Sequence, residues 1–329
     1  MYRTFVAAFV VTFLCLAMPA GAREAIMGNY HGGFTNEPWQ ARSLRAEIIA
    51  ESAATFLAQL YVGAEGVEPV CVKVEGRLKR EGAVFEGKVD LGKALGGACT
   101  VSGIVANKVF TGIFDGKGKN GEFELNRVLI ESPTLGQAPP EGAIVLLDGA
   151  NLDQWIALPR WRLQRDGSIK PGHSSLVSKQ SFGDAEYHIE FRTPVMVNER
   201  GQARGNSGVY VEGRYEIQVL DSFGLPPYHN GCGGIYQAAE PLTNACLPPG
   251  EWQTYDITFT APRFDANGAK TKNAELTVKH NGVLIHDKLV LEKASSGGVA
   301  DTEAPEGPLM LQDHGDEVSF RNIWLKPLP

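Results

Sequence analysis

Arg204-Gly205-Asn206-Ser207-Gly208-Val209-Tyr210-Val211-Glu212-Gly213-Arg214-Tyr215-Glu216-Ile217-Gln218-Val219-Leu220-Asp221 reads as two β-strands joined at Gly213. In the second run Tyr215, Ile217 and Val219 alternate with Arg214, Glu216 and Gln218. A period of two turns one face to a core and the other outward. A solvated sheet face usually carries Lys, Thr and Ser. Here an arginine, a carboxylate and an amide follow one another at the spacing of neighbouring side chains, a composition suited to sugar hydroxyls or to general-base chemistry.

The same pattern recurs. Tyr187, Ile189 and Phe191 alternate with His188, Glu190 and Arg192, and Leu309 and Leu311 alternate with Met310, Gln312 and His314. Further short apolar runs lie at 143–147, 161–164, 175–179, 253–260, 274–280, 283–290 and 318–325, and Asn281-Gly282 between two of them is a strong hairpin turn signal. Nothing alternates as βαβ. Short strands with polar turns predict an all-β, two-sheet sandwich of jelly-roll type over 143–329.

Upstream, β-like runs at 44–50, 56–62, 70–74, 84–89, 99–105, 109–114 and 122–130 predict a smaller antiparallel β-rich domain over 23–131. Residues 46–60 are also rich in Glu, Ala and Leu, so a helix is an open reading there. His31 is the only histidine of this region and its carboxylates stand singly between Lys and Gly, as on solvated strand faces. The stretch 132–142, with Pro133, Pro139 and Pro140, reads as a polar linker. A chain of 329 residues exceeds what one core usually supports, which fits two domains.

The 31 basic and 38 acidic residues give a net charge of −7 with no Lys/Arg-rich run, which argues against a nucleic-acid partner. Arg3, the apolar segment 5–17 and Ala20-Gly21-Ala22 read as a signal peptide over 1–22, cut before Arg23. Pro19 and Gly21 interrupt the run too early for a retained membrane anchor. We therefore expect an exported protein, periplasmic or extracellular. Loss of Cys15 with the signal leaves Cys71, Cys99, Cys232 and Cys246, an even set that in an exported protein predicts disulfides Cys71–Cys99 and Cys232–Cys246.

If the three patterned strands share a sheet, their polar sides line one surface able to do acid–base chemistry on a polar ligand. The plainer reading is a set of cross-strand ion pairs, above all for Glu190 and Arg192. Glu216 stands out, because Gln218 flanks it and the Gly-rich Arg204–Gly208 run before it lets backbone approach a ligand. His314 follows a strand end, where binding residues are frequent. Tyr236, in Gly231-Cys232-Gly233-Gly234-Ile235-Tyr236, either stacks on a sugar or packs inward.

Several of these segments, in this order, carry a family resemblance: Asn206-Ser207-Gly208-Val209, Tyr215-Glu216-Ile217-Gln218-Val219-Leu220-Asp221, Gly234-Ile235-Tyr236, Pro249-Gly250-Glu251-Trp252, Leu311-Gln312-Asp313-His314-Gly315 and Val318-Ser319-Phe320-Arg321-Asn322-Ile323. With Leu147-Asp148-Gly149, Leu152 and Trp155, the region 141–329 resembles the 3-keto-disaccharide hydrolase domain family. The resemblance implies a concanavalin-like jelly roll and cleavage of glycosides whose sugar is already oxidised at C3. The ketone acidifies the C2 hydrogen, a carboxylate removes it, the aglycone leaves C1 by elimination, and water adds back.

On that basis we assign Glu216 as base, His314 as acid or enolate partner, and Arg321 or Arg204 as electrostatic stabiliser. Asn206, Gln218 and Gln312 would hold hydroxyls, with Tyr236, Glu190 and Arg192 also facing the substrate. A divalent metal could replace the stabiliser, with Glu216 and His314 among its ligands, although no compact ligand motif supports it. Two further classes stay open. A carbohydrate-binding module would use aromatic platforms such as Trp161, Tyr210, Tyr236 and Trp252, and a conventional hydrolase would set Glu190 and Glu216 on either side of the bond.

Overall fold

The computed structural model describes residues 26–116, 120–156 and 161–329. The expected signal segment lies outside these residues. Among them, no helix is long and apolar enough to cross a membrane. The protein is all-β, and its strands are numbered below in chain order.

The first eight strands, β1 (Gly28–Phe34), β2 (Ser43–Ala50), β3 (Thr55–Ala64), β4 (Val67–Lys79), β5 (Gly82–Asp90), β6 (Ala98–Ala106), β7 (Val109–Gly116) and β8 (Gly121–Val128), form a closed antiparallel barrel in sequential order. It closes where β1 pairs with β8. Closure removes free sheet edges, and Phe34, Phe85, Phe110, Phe114 and Phe123 pack in the barrel's own buried cluster. Residues 46–60 are strand, turn and strand: β2 pairs with β3 from Ser43↔Gly63 to Ala50↔Phe56. Helix propensity yields here to burial of Ala46, Ile48, Phe56, Ala58 and Leu60 on one face of the pair. Ser52 makes the turn by accepting from the backbone N–H of Ala54 and Thr55.

The remainder is a two-sheet, jelly-roll-like sandwich. Its larger sheet runs β10 (Arg162–Leu163), β11 (Ile169–Lys170), β22 (Ser319–Pro327), β13 (Ala185–Arg192), β16 (Gln253–Thr260), β19 (Ala274–His280) and β20 (Val283–Leu291), with β9 (Ile144–Leu147) also on β22. The smaller runs β12 (Leu176–Phe182), β21 (Gly307–Leu311), β14 (Ser207–Val211) and β15 (Tyr215–Val219). A ribbon of β17 (Arg263–Phe264) and β18 (Lys270–Lys272) stands apart. Asn281 and Gly282 make the expected hairpin turn with φ of 52° and 78° between His280 and Val283.

Between the sheets lies one core, to which Tyr187, Ile189 and Phe191 come from the larger sheet and Tyr215, Ile217 and Val219 from the smaller. Each such side chain stabilises the fold by about 1.5–3 kcal/mol through removal from water. The consequence for function is geometric. The polar partners of these two triplets point away from the core in opposite directions, so they occupy opposite outer faces of the sandwich.

Residues 132–142 are not a loose tether. They lie across the outer face of the larger sheet: Ser132 and Thr254 hydroxyls are 2.6 Å apart, Thr134 donates to Asp256 Oδ2 at 2.6 Å, and Gly136 N–H donates to Glu190 Oε1 at 2.6 Å. The barrel meets the sandwich through Arg127–Glu251 (3.0 Å) and Arg204 Nη1 donating to Ala50 O (3.3 Å).

The expected disulfides are not formed in this structure, where Cys71, Cys99, Cys232 and Cys246 are free. Cys71 is on β4 and Cys99 on β6, with β5 between them. Two strand spacings amount to about 9–10 Å, beyond the Cα separation a disulfide spans. Cys232 and Cys246 do sit together in the core, with Cys232 Sγ 3.2 Å from the Tyr255 hydroxyl and Cys246 Sγ donating to Leu247 O at 3.4 Å.

Candidate active site

The β14–β15 hairpin builds the site. Its three-residue turn (Glu212, Gly213, Arg214) sets Tyr210 opposite Glu216 and Gly208 opposite Gln218. Directly opposed residues share a face, so the Tyr210 phenol and the Glu216 carboxyl meet on the outer side of the smaller sheet. The Tyr210 hydroxyl donates to Glu216 Oε2 at 2.7 Å. Gly208 makes this geometry accessible, because a Cβ there would lie 2.4 Å from Glu216 Oε1 and 2.9 Å from the Tyr210 ring.

A ring of amides surrounds the pair. One end of the Gln218 amide lies 3.1 Å from Asn206 Oδ1 and Gln202 Oε1, and the other lies 3.1 Å from Glu216 Oε1 and Ser207 O. Just past the end of β21, Gln312 Nε2 donates to the Tyr210 hydroxyl at 3.2 Å. Asn206 is fixed by its own N–H, which donates to Asp316 Oδ2 at 2.7 Å, and by Nδ2 donating to Gln202 O at 2.7 Å. Residues 233–236 pair with the free edge of β15, with Tyr236 N–H on Glu216 O at 3.3 Å. Glu216 is 2 % exposed, while Gln202, Tyr236 and Gln312 are half-buried around it. The carboxyl is thus the floor of a recess whose mouth is amide and phenol.

Electrostatics follow from that enclosure. Burial pushes the Glu216 carboxyl up to about 7, and the Tyr210 hydrogen bond only partly counters it. Burial, the Glu216 charge beside it and the shared hydrogen bond hold the Tyr210 phenol well above the usual tyrosine range, so it stays a neutral donor. No cation lies against the carboxyl among the described residues. A buried carboxylate poised near neutrality is suited to taking a proton from carbon.

Of the residues singled out from sequence, Glu216, Gln218, Asn206, Gln312 and Tyr236 come together. Arg204 does not face the recess: Nε donates to Asp221 Oδ2 at 2.6 Å, and the buried pair ties the hairpin to the barrel. His314 is exposed on the loop after β21, two residues before the Asp316 that holds Asn206, and bonds no side chain of the site. Two members of the recess, Gln202 and Tyr210, have no catalytic or hydroxyl-binding role in the sequence reading. Tyr210 is recoverable from hairpin parity, since Val211↔Tyr215 closure forces Tyr210↔Glu216. Gln202, in the short 3₁₀ turn Gly201–Ala203, carries no such signal.

Glu190, Arg192 and Arg321 lie on the other outer face. Glu190, fully buried, accepts from Arg321 Nε (2.7 Å), Asn322 Nδ2 (2.9 Å) and Gly136 N–H (2.6 Å), with His188 Nε2 at 3.4 Å. Burial would raise its carboxyl, but these donors outweigh it and bring it to about 2. His188 in turn bonds Asp256 Oδ1 at 2.6 Å. The expectation of one common surface is therefore overturned by strand parity. Glu190 and Glu216 have the core between them and cannot flank one bond, and Arg321 cannot stabilise charge beside Glu216.

The binding-module and metal readings weaken on the same geometry. Trp161 and Tyr210 are buried, and Trp252 lies under the guanidinium groups of Arg321 and Arg192 at 4.0 and 4.6 Å. Three of the four aromatic platforms a binding module would need are thus covered. For a metal, the donor set does not fit. Among the described residues no three His, Cys, Asp or Glu side chains converge, and the neighbours of Glu216 are amides and a phenol.

A two-sheet β-sandwich with a neutral-range carboxylate under a rim of amides is a jelly-roll-like scaffold whose site suits a polar, hydroxyl-bearing ligand. The chain belongs to the family of 3-keto-alpha-glucoside-1,2-lyase-like domains, whose model matches residues 142–326. Among solved structures it is similar to a candidate glycosyl hydrolase from Parabacteroides distasonis ATCC 8503, with 37 % identity and a TM-score of 0.53 over 57 % of this chain and 85 % of that one. A second candidate glycosyl hydrolase from that organism matches at 20 % identity and TM-score 0.43, covering 57 % of this chain and 95 % of the other. No curated protein matches.

Proposed function

We propose that this protein cleaves glycosides whose sugar carries a ketone at C3, by C2 proton abstraction, elimination and hydration. The single observation that carries the reading is the Glu216 carboxyl, buried, near-neutral in affinity for protons and held by Tyr210. Family membership and the similarity to a glycosyl hydrolase candidate support the substrate class.

In this reading Glu216 takes the C2 proton of the 3-keto sugar. The C2–H electrons form the enolate, with the negative charge on the C3 oxygen. Collapse of the enolate forms the C1–C2 double bond and breaks the bond from C1 to the aglycone oxygen, which leaves with a proton. Water then adds across that double bond, giving the free 3-keto sugar. Tyr210 orients the carboxylate and, as a neutral phenol, supplies no competing base. Gln202, Asn206, Gln218 and Gln312 bind ring hydroxyls, and His314 serves the leaving-group side from the exposed loop. The proposal includes export, which rests on the apolar N-terminal segment.

The experiment is to incubate the protein with a 3-keto-glucoside and with its unoxidised parent in deuterated water, following both by NMR. We expect cleavage of the keto compound alone, with deuterium at C2 of the product. Equal cleavage of both would remove the ketone from the mechanism. Binding without cleavage of either would return the protein to the carbohydrate-binding class.

A further inference from the structure

A strap, residues 295–299, crosses the β14–β15 hairpin beside the recess. It is tied by Ser295 N–H donating to Arg214 O (2.7 Å), Val299 N–H donating to Gly213 O (2.8 Å) and Glu216 N–H donating to Ser295 Oγ (3.1 Å). This places the Ser296 carbonyl 3.0 Å from the Tyr210 hydroxyl. The phenol has one proton and two acceptors within reach, Glu216 Oε2 at 2.7 Å and Ser296 O at 3.0 Å. Gln312 Nε2, a donor at 3.2 Å, occupies a phenol lone pair and leaves that competition unchanged.

We propose that Ser296 is a positioning residue for the base: its carbonyl competes with Glu216 for the Tyr210 proton and so holds the carboxyl in a higher proton affinity than Tyr210 alone would allow. The inference deepens the functional reading above and rests on it for its catalytic meaning. When Glu216 is ionised, the phenol donates to it and Ser296 O turns to water. When Glu216 has taken a proton, the phenol is released to Ser296 O, and the strap stabilises the protonated base. A base that has removed a carbon-bound proton must hold it while the aglycone departs, and the strap favours that state.

The groups that face this exchange are few. Tyr210 comes from β14, Gln312 from the end of β21, Gln218 from β15 itself, and Tyr236 from the segment paired with β15 acts on Tyr210 through space. Burial raises the Glu216 carboxyl and the Tyr210 hydrogen bond lowers it, so anything that weakens that bond raises it further. Gly297 is what lets the strap come so close, with φ +82° and space for a Cβ only 3.1 Å from the Tyr210 hydroxyl.

The test is a substrate-free titration of the Glu216 side-chain carbon by NMR, which separates failure of this inference from failure of the functional reading. Replacing Gly297 by glycolic acid turns the 296–297 amide into an ester, weakening the Ser296 carbonyl as acceptor without adding atoms. We expect the Glu216 midpoint to fall by about half to one pH unit, with the acid limb of kcat/KM on a 3-keto-glucoside falling alongside. Gly297→Ala, which lifts the strap, should shift it in the same direction. In a Tyr210→Phe background neither change should move the midpoint. An unchanged midpoint in the ester variant, or an equal shift with Phe at 210, overturns the proposal. A shifted midpoint with no turnover on any keto sugar would leave the strap's role standing and sink the assigned reaction instead.

Discussion

Glu216 and Glu190 are both buried carboxylates on strands of one sandwich, and they differ in what surrounds them. Glu190 meets a guanidinium, an amide, a backbone N–H and an imidazole, and its carboxyl falls to about 2. Glu216 meets a phenol and the end of one amide, and its carboxyl rises to about 7. Burial acts on both in the same direction, so the donors decide the sign. A carboxylate saturated with donors has no lone pair left for a substrate and serves the fold. One left short of donors and buried keeps its appetite for a proton.

The contrast is broken or kept by exchanging each carboxylate for its amide. Glu216→Gln should lower kcat on a 3-keto-glucoside by about 10²–10⁴-fold with the fold intact. Glu190→Gln should leave kcat within a few-fold and lower stability by about 2 kcal/mol, seen in denaturant unfolding. The pH dependences have opposite signs. Glu190's contribution to stability is present above its ordinary value of 4.5 and is lost as pH falls towards 2. Glu216's is present below 4.5 and is lost as pH rises through about 7, the range in which its catalytic form appears. Equal losses of activity in the two variants would end the distinction between a working and a structural carboxylate.

A subtler change sharpens it. Gly208→Ala keeps every polar group but sets a methyl 2.4 Å from Glu216 Oε1 and 2.9 Å from the Tyr210 ring. The carboxyl must shift, and misplacement by an ångström costs about 10²-fold. The loss should fall on kcat more than on KM, because the rim amides stay in place. A loss in KM alone would mean that the carboxyl binds substrate and does no chemistry.

These two carboxylates also mark where sequence reading succeeds and where it stops. Period-two alternation identifies both strands, both core-facing triplets and both polar sets, since alternation is a local property of the backbone. It does not say that β13 and β15 belong to different sheets, because strand order is set by long-range pairing that leaves no trace in either strand alone. Arg204 shows the same limit: charged and beside a Gly-rich run, it reads as a ligand contact until Asp221, seventeen residues on, is found 2.6 Å away. Tyr210 is the reverse case. Its partner can be counted across the Gly213 turn, and treating the ring only as an aromatic platform hides the phenol that holds the base.

The smallest effect concerns His314, which is exposed and shares no hydrogen bond with the recess side chains. A proton donor to the departing oxygen matters in proportion to how poor the leaving group is. His314→Ala should therefore leave cleavage of an aryl 3-keto-glucoside within about two-fold and slow that of an alkyl or sugar 3-keto-glucoside by about ten-fold. Comparing kcat for the two aglycones in one variant separates the proton from any change in folding or binding, which would lower both together. If the two rates fall equally, His314 positions its loop, through the Asp316–Asn206 contact, and the leaving group takes its proton from water at the mouth of the recess.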